Sequence, residues 1–115
     1  MREKTKPKVF IVQEGPHDYT PALEFGELDF LATREITAVP MAISQSNRSE
    51  ILGVKRKLAE YVPGFDYILL AGSPIMIACV VFMLSKMRGE HLFLKWDNYK
   101  QGYIPYKLNA AELAA

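Results

Sequence analysis

The side chains able to do chemistry sit in two short stretches. The first is Gln13-Glu14-Gly15-Pro16-His17-Asp18, which gathers two carboxylates and an imidazole within one turn-like segment. Such a set could exchange protons or, with Asp97, bind a cation. Its spacing is that of a loop and not of an i, i+4 helical ligand pair, so solvated loop side chains are the ordinary reading and no metal is assigned. The second stretch is Gly72-Ser73-Pro74, directly before an apolar run. Serine as N-cap and proline in the first turn mark a tight strand-to-helix junction. The N–H groups at such a helix start would suit a phosphate or carboxylate. Neither a Walker nor a dinucleotide fingerprint accompanies it, and Ser73 lacks the glycine-flanked elbow of a nucleophile. No cofactor is implied.

A third group is aromatic. Trp96, Tyr99, Tyr103 and Tyr106 lie close together near the end of the chain, beside Lys95, Lys100 and Lys107. Tyrosine and tryptophan combine apolar area with a polar tip, which enriches them at interfaces, although such residues also pair across strands. Base stacking on this basic segment would call for an RRM-type motif, which is missing. Cys79, within Ile75–Leu84, is expected in the core and unreactive.

These residues need elements to position them. Val9–Val12 is a short apolar run suited to a strand buried on both faces. Thr20–Phe25 reads as one helical turn with Thr20 as its N-cap, Pro21 in its first turn and Gly26 beyond its end. Glu27–Ala32 alternates, with Leu28 and Phe30 on one side. Residues 33–46 are ambiguous, and Pro40 ends any strand beginning at Ile36. Asn47-Arg48-Ser49-Glu50 fits a capping box, after which Ile51, Val54, Leu58 and Val62 recur at helical spacing up to Pro63-Gly64. Tyr67–Ala71 then has strand length, and Pro74 to about Met87 has helix length. Leu92–Trp96 and Tyr103–Leu108 flank a turn and predict an antiparallel hairpin whose Pro105 belongs at a sheet edge.

Strands alternating with helices predict an α/β fold, a single three-layer-like domain with a mostly parallel sheet and two main helices. The most apolar strands should be central, giving the order 2-1-3-4-5 with the last strand antiparallel. Right-handed crossovers place both long helices on one face. The Thr20–Phe25 turn alone would then cover the other. An open face of that kind predicts a homo-oligomer or a partner, because large apolar patches mark interaction sites. Ligands of open α/β sheets bind beyond the carboxyl ends of the strands at the switch point. Here that position falls on Gln13, Glu14, Gly15, His17, Asp18, Gly72 and Ser73, while Trp96, Tyr99, Tyr103 and Tyr106 are the candidate interface.

Composition narrows the classes. The chain has 115 residues, 50% of them hydrophobic, a net charge of +1 and one cysteine. That is one domain with one core: a basic arm over 1–8, the domain over 9–108 and an alanine-rich tail over 109–115. The charge balance argues against a dedicated nucleic-acid binder, and a lone cysteine makes a reducing compartment the default. Val9–Val12 is too short for the apolar region of a signal peptide. Gly72-Ser73-Pro74 divides the long apolar run Tyr67–Leu84, so no membrane span is expected. The ending Leu113-Ala114-Ala115 matches the last residues of a bacterial degradation tag, but an inert tail is the expectation.

Val12-Gln13-Glu14, Asp66-Tyr67-Ile68-Leu69-Leu70 with Gly72 and Pro74, Leu94-Lys95-Trp96-Asp97, and Tyr103 with Pro105 form a recurring pattern. It is similar to small uncharacterised hypothetical proteins encoded by bacteriophages and prophages. The resemblance brings no catalytic residue with it. It implies the cytoplasm of an infected bacterium, where small accessory proteins act on host factors. The expected function is therefore non-catalytic binding of a host protein or a small signalling ligand. The alternative is a nucleotide-binding domain or small enzyme that uses the strand-end pocket.

Overall fold

The computed structural model describes residues 6–32 and 45–114, with backbone only over 45–50. Five strands form one sheet in the order β2-β1-β3-β4-β5. They are β1 (Lys8–Gln13), β2 (Glu27–Ala32), β3 (Tyr67–Leu69), β4 (Glu90–Asp97) and β5 (Gly102–Asn109). The first four strands are parallel, and β5 returns antiparallel to β4, with Leu94 opposite Pro105 and Trp96 opposite Tyr103. The expected strand order therefore stands, with Pro105 on an edge strand where a missing N–H is tolerated.

Two helices, α1 (Gln45–Leu58) and α2 (Pro74–Leu84), are the parallel crossovers, and a short α3 (Ala110–Ala114) follows β5. Both long helices pack on one face of the sheet. Val54 and Leu58 of α1 and Met76, Val80 and Leu84 of α2 share a core with Phe10, Val12, Ile68 and Phe93. A single 3-10 turn, Thr20–Glu24, lies on the other face.

That second face is closed. Val9, Ile11, Leu69 and Leu94 are at most 1% exposed beneath Tyr19, Ala22 and Tyr103, with Phe25, Leu28, Phe30 and Tyr67 packed around them. The open face expected there, which was the reason to expect a second copy, is absent. Bulky aromatic rings cover more sheet than the length of the turn suggests, because each buries a large area from one backbone position. Exposed apolar side chains occur singly at Leu23, Leu52 and Leu113, and three more, Ile75, Val81 and Phe82, lie on α2, with Phe82 75% exposed.

Several boundaries differ from expectation for local reasons. β1 is one residue longer at each end than Val9–Val12, so Lys8 of the expected basic arm belongs to the sheet. β3 stops at Leu69 because Ala71 N donates to Leu69 O, a three-residue turn that bends the chain toward Gly72. α1 already includes Asn47, so that residue is not its N-cap, and α1 ends at Leu58, which leaves Val62 in the following loop. α2 ends at Leu84, where the Ser85 hydroxyl donates to the Phe82 carbonyl at 2.6 Å. Thr20 is the first residue of its turn and Tyr19 the cap. Cys79 is half-buried and lies between the helices, not in the core. The expected ending of a strand at Pro40 falls outside the described residues, as does Ala115 of the tail.

Two buried polar groups join the layers. Asp66 accepts hydrogen bonds from Lys8 N and Val62 N, both at 2.8 Å, tying the start of β1 to the loop before β3. His91 of β4 lies 2.8 Å from the Tyr61 hydroxyl through Nδ1 and 3.2 Å from the Met87 carbonyl through Nε2. A carbonyl only accepts, so Nε2 carries the proton and Nδ1 receives the phenol's. Burial, reinforced by the negative charge of Asp66, pushes the Tyr61 phenol well above its ordinary range. No helix among the described residues is long and apolar enough to cross a membrane.

Candidate functional site

At the carboxyl end of β3, between the loop after β1 and the β4–β5 hairpin, a cleft of about 480 Å³ opens on the face of the 3-10 turn. Its lining is His17, Tyr19, Leu69, Leu70, Ala71, Gly72, Trp96, Asn98 and Tyr103. Two residue groups that the sequence presents separately thus meet in one place. His17 and Gly72 come from the switch-point loops, and Trp96 and Tyr103 come from the hairpin.

The hairpin supplies one wall because Trp96 and Tyr103 are register partners and so share a face. Their rings meet edge to face, with centroids 5.2 Å apart. The Trp96 indole N–H donates to Asn98 Oδ1 at 2.9 Å, which holds both side chains at the rim. On the opposite wall, Tyr19 packs edge-on against Phe30 at 5.6 Å and against His17 at 6.2 Å. Its hydroxyl accepts the Gly15 N–H at 3.0 Å, which fixes the ring to the loop after β1. Burial raises the Tyr103 phenol, and the neighbouring Tyr19 and Asp18 raise it further, so it is a neutral hydrogen-bonding group at physiological pH.

The remaining candidates support this site from outside its lining. Gln13 Oε1 accepts the Ser73 N–H at 2.9 Å, bridging β1 to the turn before α2. This contact requires a glycine at 72. Its φ is +108°, and a Cβ there would stand 2.4 Å from the Gln13 Cβ. Ser73 caps α2 by accepting Met76 N at 3.2 Å. Two donors that an anion would need at this helix start are therefore already used within the chain. Asp18 accepts both the amide and the hydroxyl of Thr20, and these bonds, the hydroxyl's foremost, hold its carboxyl below the usual range. Asp97 Oδ2 accepts Lys100 N in the hairpin turn. Glu14 donates its N–H to Ala32 O at 3.0 Å. Among the described residues, no group of three His, Cys, Asp or Glu side chains could hold a metal ion.

The aromatic set itself divides. Tyr99 is fully exposed in the hairpin turn, and Tyr106 stands opposite Phe93 on the helix-covered face. Sequence reasoning missed Tyr19 and Asn98. Tyr19 belongs to no periodic pattern, and Asn98 reads simply as a turn residue. The chance of finding them lay in the topology, since both sit in loops at the carboxyl ends of strands.

A family model, the phage Pam3 gp32-like protein, matches residues 7–110. The chain belongs to this phage protein family. The match runs from the start of β1 into the beginning of α3 and so includes both walls of the cleft. No curated protein and no solved structure matches the chain.

Proposed function

We propose that this phage protein acts by binding and not by catalysis, and that the strand-end cleft takes a small planar ligand of the nucleobase or nucleoside class. The observation that carries this reading is the convergence of Tyr19, Trp96 and Tyr103 with His17 around one concavity. Trp96, 39% exposed, offers an aromatic face on which a planar ring stacks, a contact of about 1–3 kcal/mol in base-binding sites. The buried Tyr19 and Tyr103 back it. Asn98 and the backbone of Leu69–Gly72 offer hydrogen bonds to the ligand's edge. The lining contains one imidazole and no carboxylate, a poor set for paired acid/base work but sufficient for recognition. Because Ser73 N and Met76 N are engaged internally, the ring and not a phosphate provides the main attachment.

A thermal-shift panel of nucleosides, nucleotides and uncharged planar heterocycles tests this. A ligand at a hundred times its Kd adds about 2.7 kcal/mol of stability. At least one planar compound should raise the melting temperature, and His17→Ala and Asn98→Ala should each reduce that shift. A panel with no stabilising member would refute the reading.

A further inference from the structure

The helix-covered side carries a second, unrelated concavity, a groove of about 670 Å³ between α1 and α2. One wall is Ile51, Lys55 and Leu58, at i, i+4 and i+7 along α1. The other is Cys79, Phe82 and Met83, at i, i+3 and i+4 along α2, continued past the end of that helix by Lys86 and Met87. Two facing helical stripes of this kind form the trough into which an amphipathic helix fits. The α2 wall is rich in thioether, thiol and aromatic groups, which adapt to the shape of an apolar insert. The walls run for about seven residues, or roughly 10 Å at 1.5 Å per residue, enough for two turns of a guest helix.

The charge around the groove identifies the guest. From residue 51 to 58 and from 79 to 88 every charged residue is basic: Lys55, Arg56, Lys57, Lys86 and Arg88. A chain of net charge +1 thus places five cations and no acid within these two stretches, with Glu50, Glu60 and Glu90 outside them. Lys57 is drawn aside by Asp29 at 3.5 Å, whereas Lys55 and Lys86 line the groove from opposite walls. An apolar trough with a cation on each wall complements a helix with an apolar stripe and acidic residues on both flanks. A second copy inserting its own α2 would bring the Lys86 that follows that helix toward an already cationic trough.

We infer that the α1–α2 groove docks an acidic amphipathic helix of a partner protein. The surface is distinct from the strand-end cleft and does not depend on its ligand. The test uses the full chain and a fluorescent designed helix of about 15 residues, with leucines at i, i+4 and i+7 and glutamates on both flanks. Its control has the same leucines with lysine flanks. The acidic helix should bind in a salt-sensitive manner, about tenfold or more tighter than the basic one. The double reversal Lys55→Glu/Lys86→Glu should invert that preference. Phe82→Ala, at an exposed position, should weaken binding about tenfold while leaving the melting temperature in place. Equal binding of both helices, or acidic-helix binding unaffected by the reversal, would overturn the proposal. Self-association that excludes the acidic helix would overturn it in favour of a second copy. Adsorption to vesicles of anionic phospholipid without helix binding would overturn it in favour of a membrane surface.

Discussion

The two faces of the sheet solve the same covering problem differently. The helix face uses two long helices, yet it leaves Ile75, Val81 and Phe82 of α2 in solvent. The other face has one short turn, yet it seals Val9, Ile11, Leu69 and Leu94 almost completely. Cover thus follows the area that each side chain buries and not the length of the element above it. A helix apolar on every side cannot hide all of itself against one sheet, so its outer stripe remains available. Aromatic rings projecting from loops close a face efficiently. Where those loops diverge at the switch point, the same rings become the walls of a cleft.

The largest effect should come from truncating matched residues on the two faces. Phe10 points into the helix-side core and Ile11 into the other, and both are fully buried. Phe10→Ala should cost about 3–5 kcal/mol and Ile11→Ala about 2–5 kcal/mol in urea unfolding. A cost under about 1 kcal/mol for Ile11→Ala would show the turn-side face to be open and break the comparison. Gly72→Ala comes next, at about 2 kcal/mol, since it forces an unfavourable φ and displaces Gln13. Its melting curve should fall while Ser73→Ala, which removes only a cap, costs about 1 kcal/mol.

A smaller and pH-dependent effect belongs to Tyr61 on the helix face, separate from that of the raised Tyr103 phenol on the other. The raised phenol of Tyr61 contributes stability that is fully present below the unfolded value near pH 10. That contribution is lost as the pH climbs above this value, because the unfolded chain ionises before the folded one. Tyr61→Phe removes this share of the alkaline loss and leaves His91 Nδ1 without its donor, at about 1–2 kcal/mol near neutrality. Denaturation midpoints of the two proteins should therefore converge between pH 9 and pH 11. The smallest effect is at Phe82, where replacement by alanine should change folding stability by no more than about 0.5 kcal/mol.

The strand order was readable because Val9–Val12 and Tyr67–Leu69 are continuous apolar runs that only a central position can bury. The crossover rule then put both helices on one side. Less was readable where no pattern repeats. A lone Tyr19 in a loop signals nothing until Gly15 and Phe30 are seen around it. An all-apolar α2 has no polar face from which to read its orientation, so Cys79 could not be separated from the core by sequence. The reach of Gln13 to Ser73 spans 60 positions in the chain and exists only once β1 and β3 are adjacent. Of the switch-point residues, His17 and Gly72 line the cleft and the others lie outside its lining, while the hairpin supplies one wall.

The central claim, that the cleft at the strand ends is a binding site for planar ligands, has a built-in reporter. Trp96 lines the cleft and is the chain's only tryptophan, so its emission reads that site alone. Titration of the full chain with adenosine, guanosine, cytidine and uridine should give saturable quenching with at least one of them, and Tyr103→Leu should weaken it. Trp96 emission that stays unchanged with all four nucleosides up to their solubility limits would contradict the account.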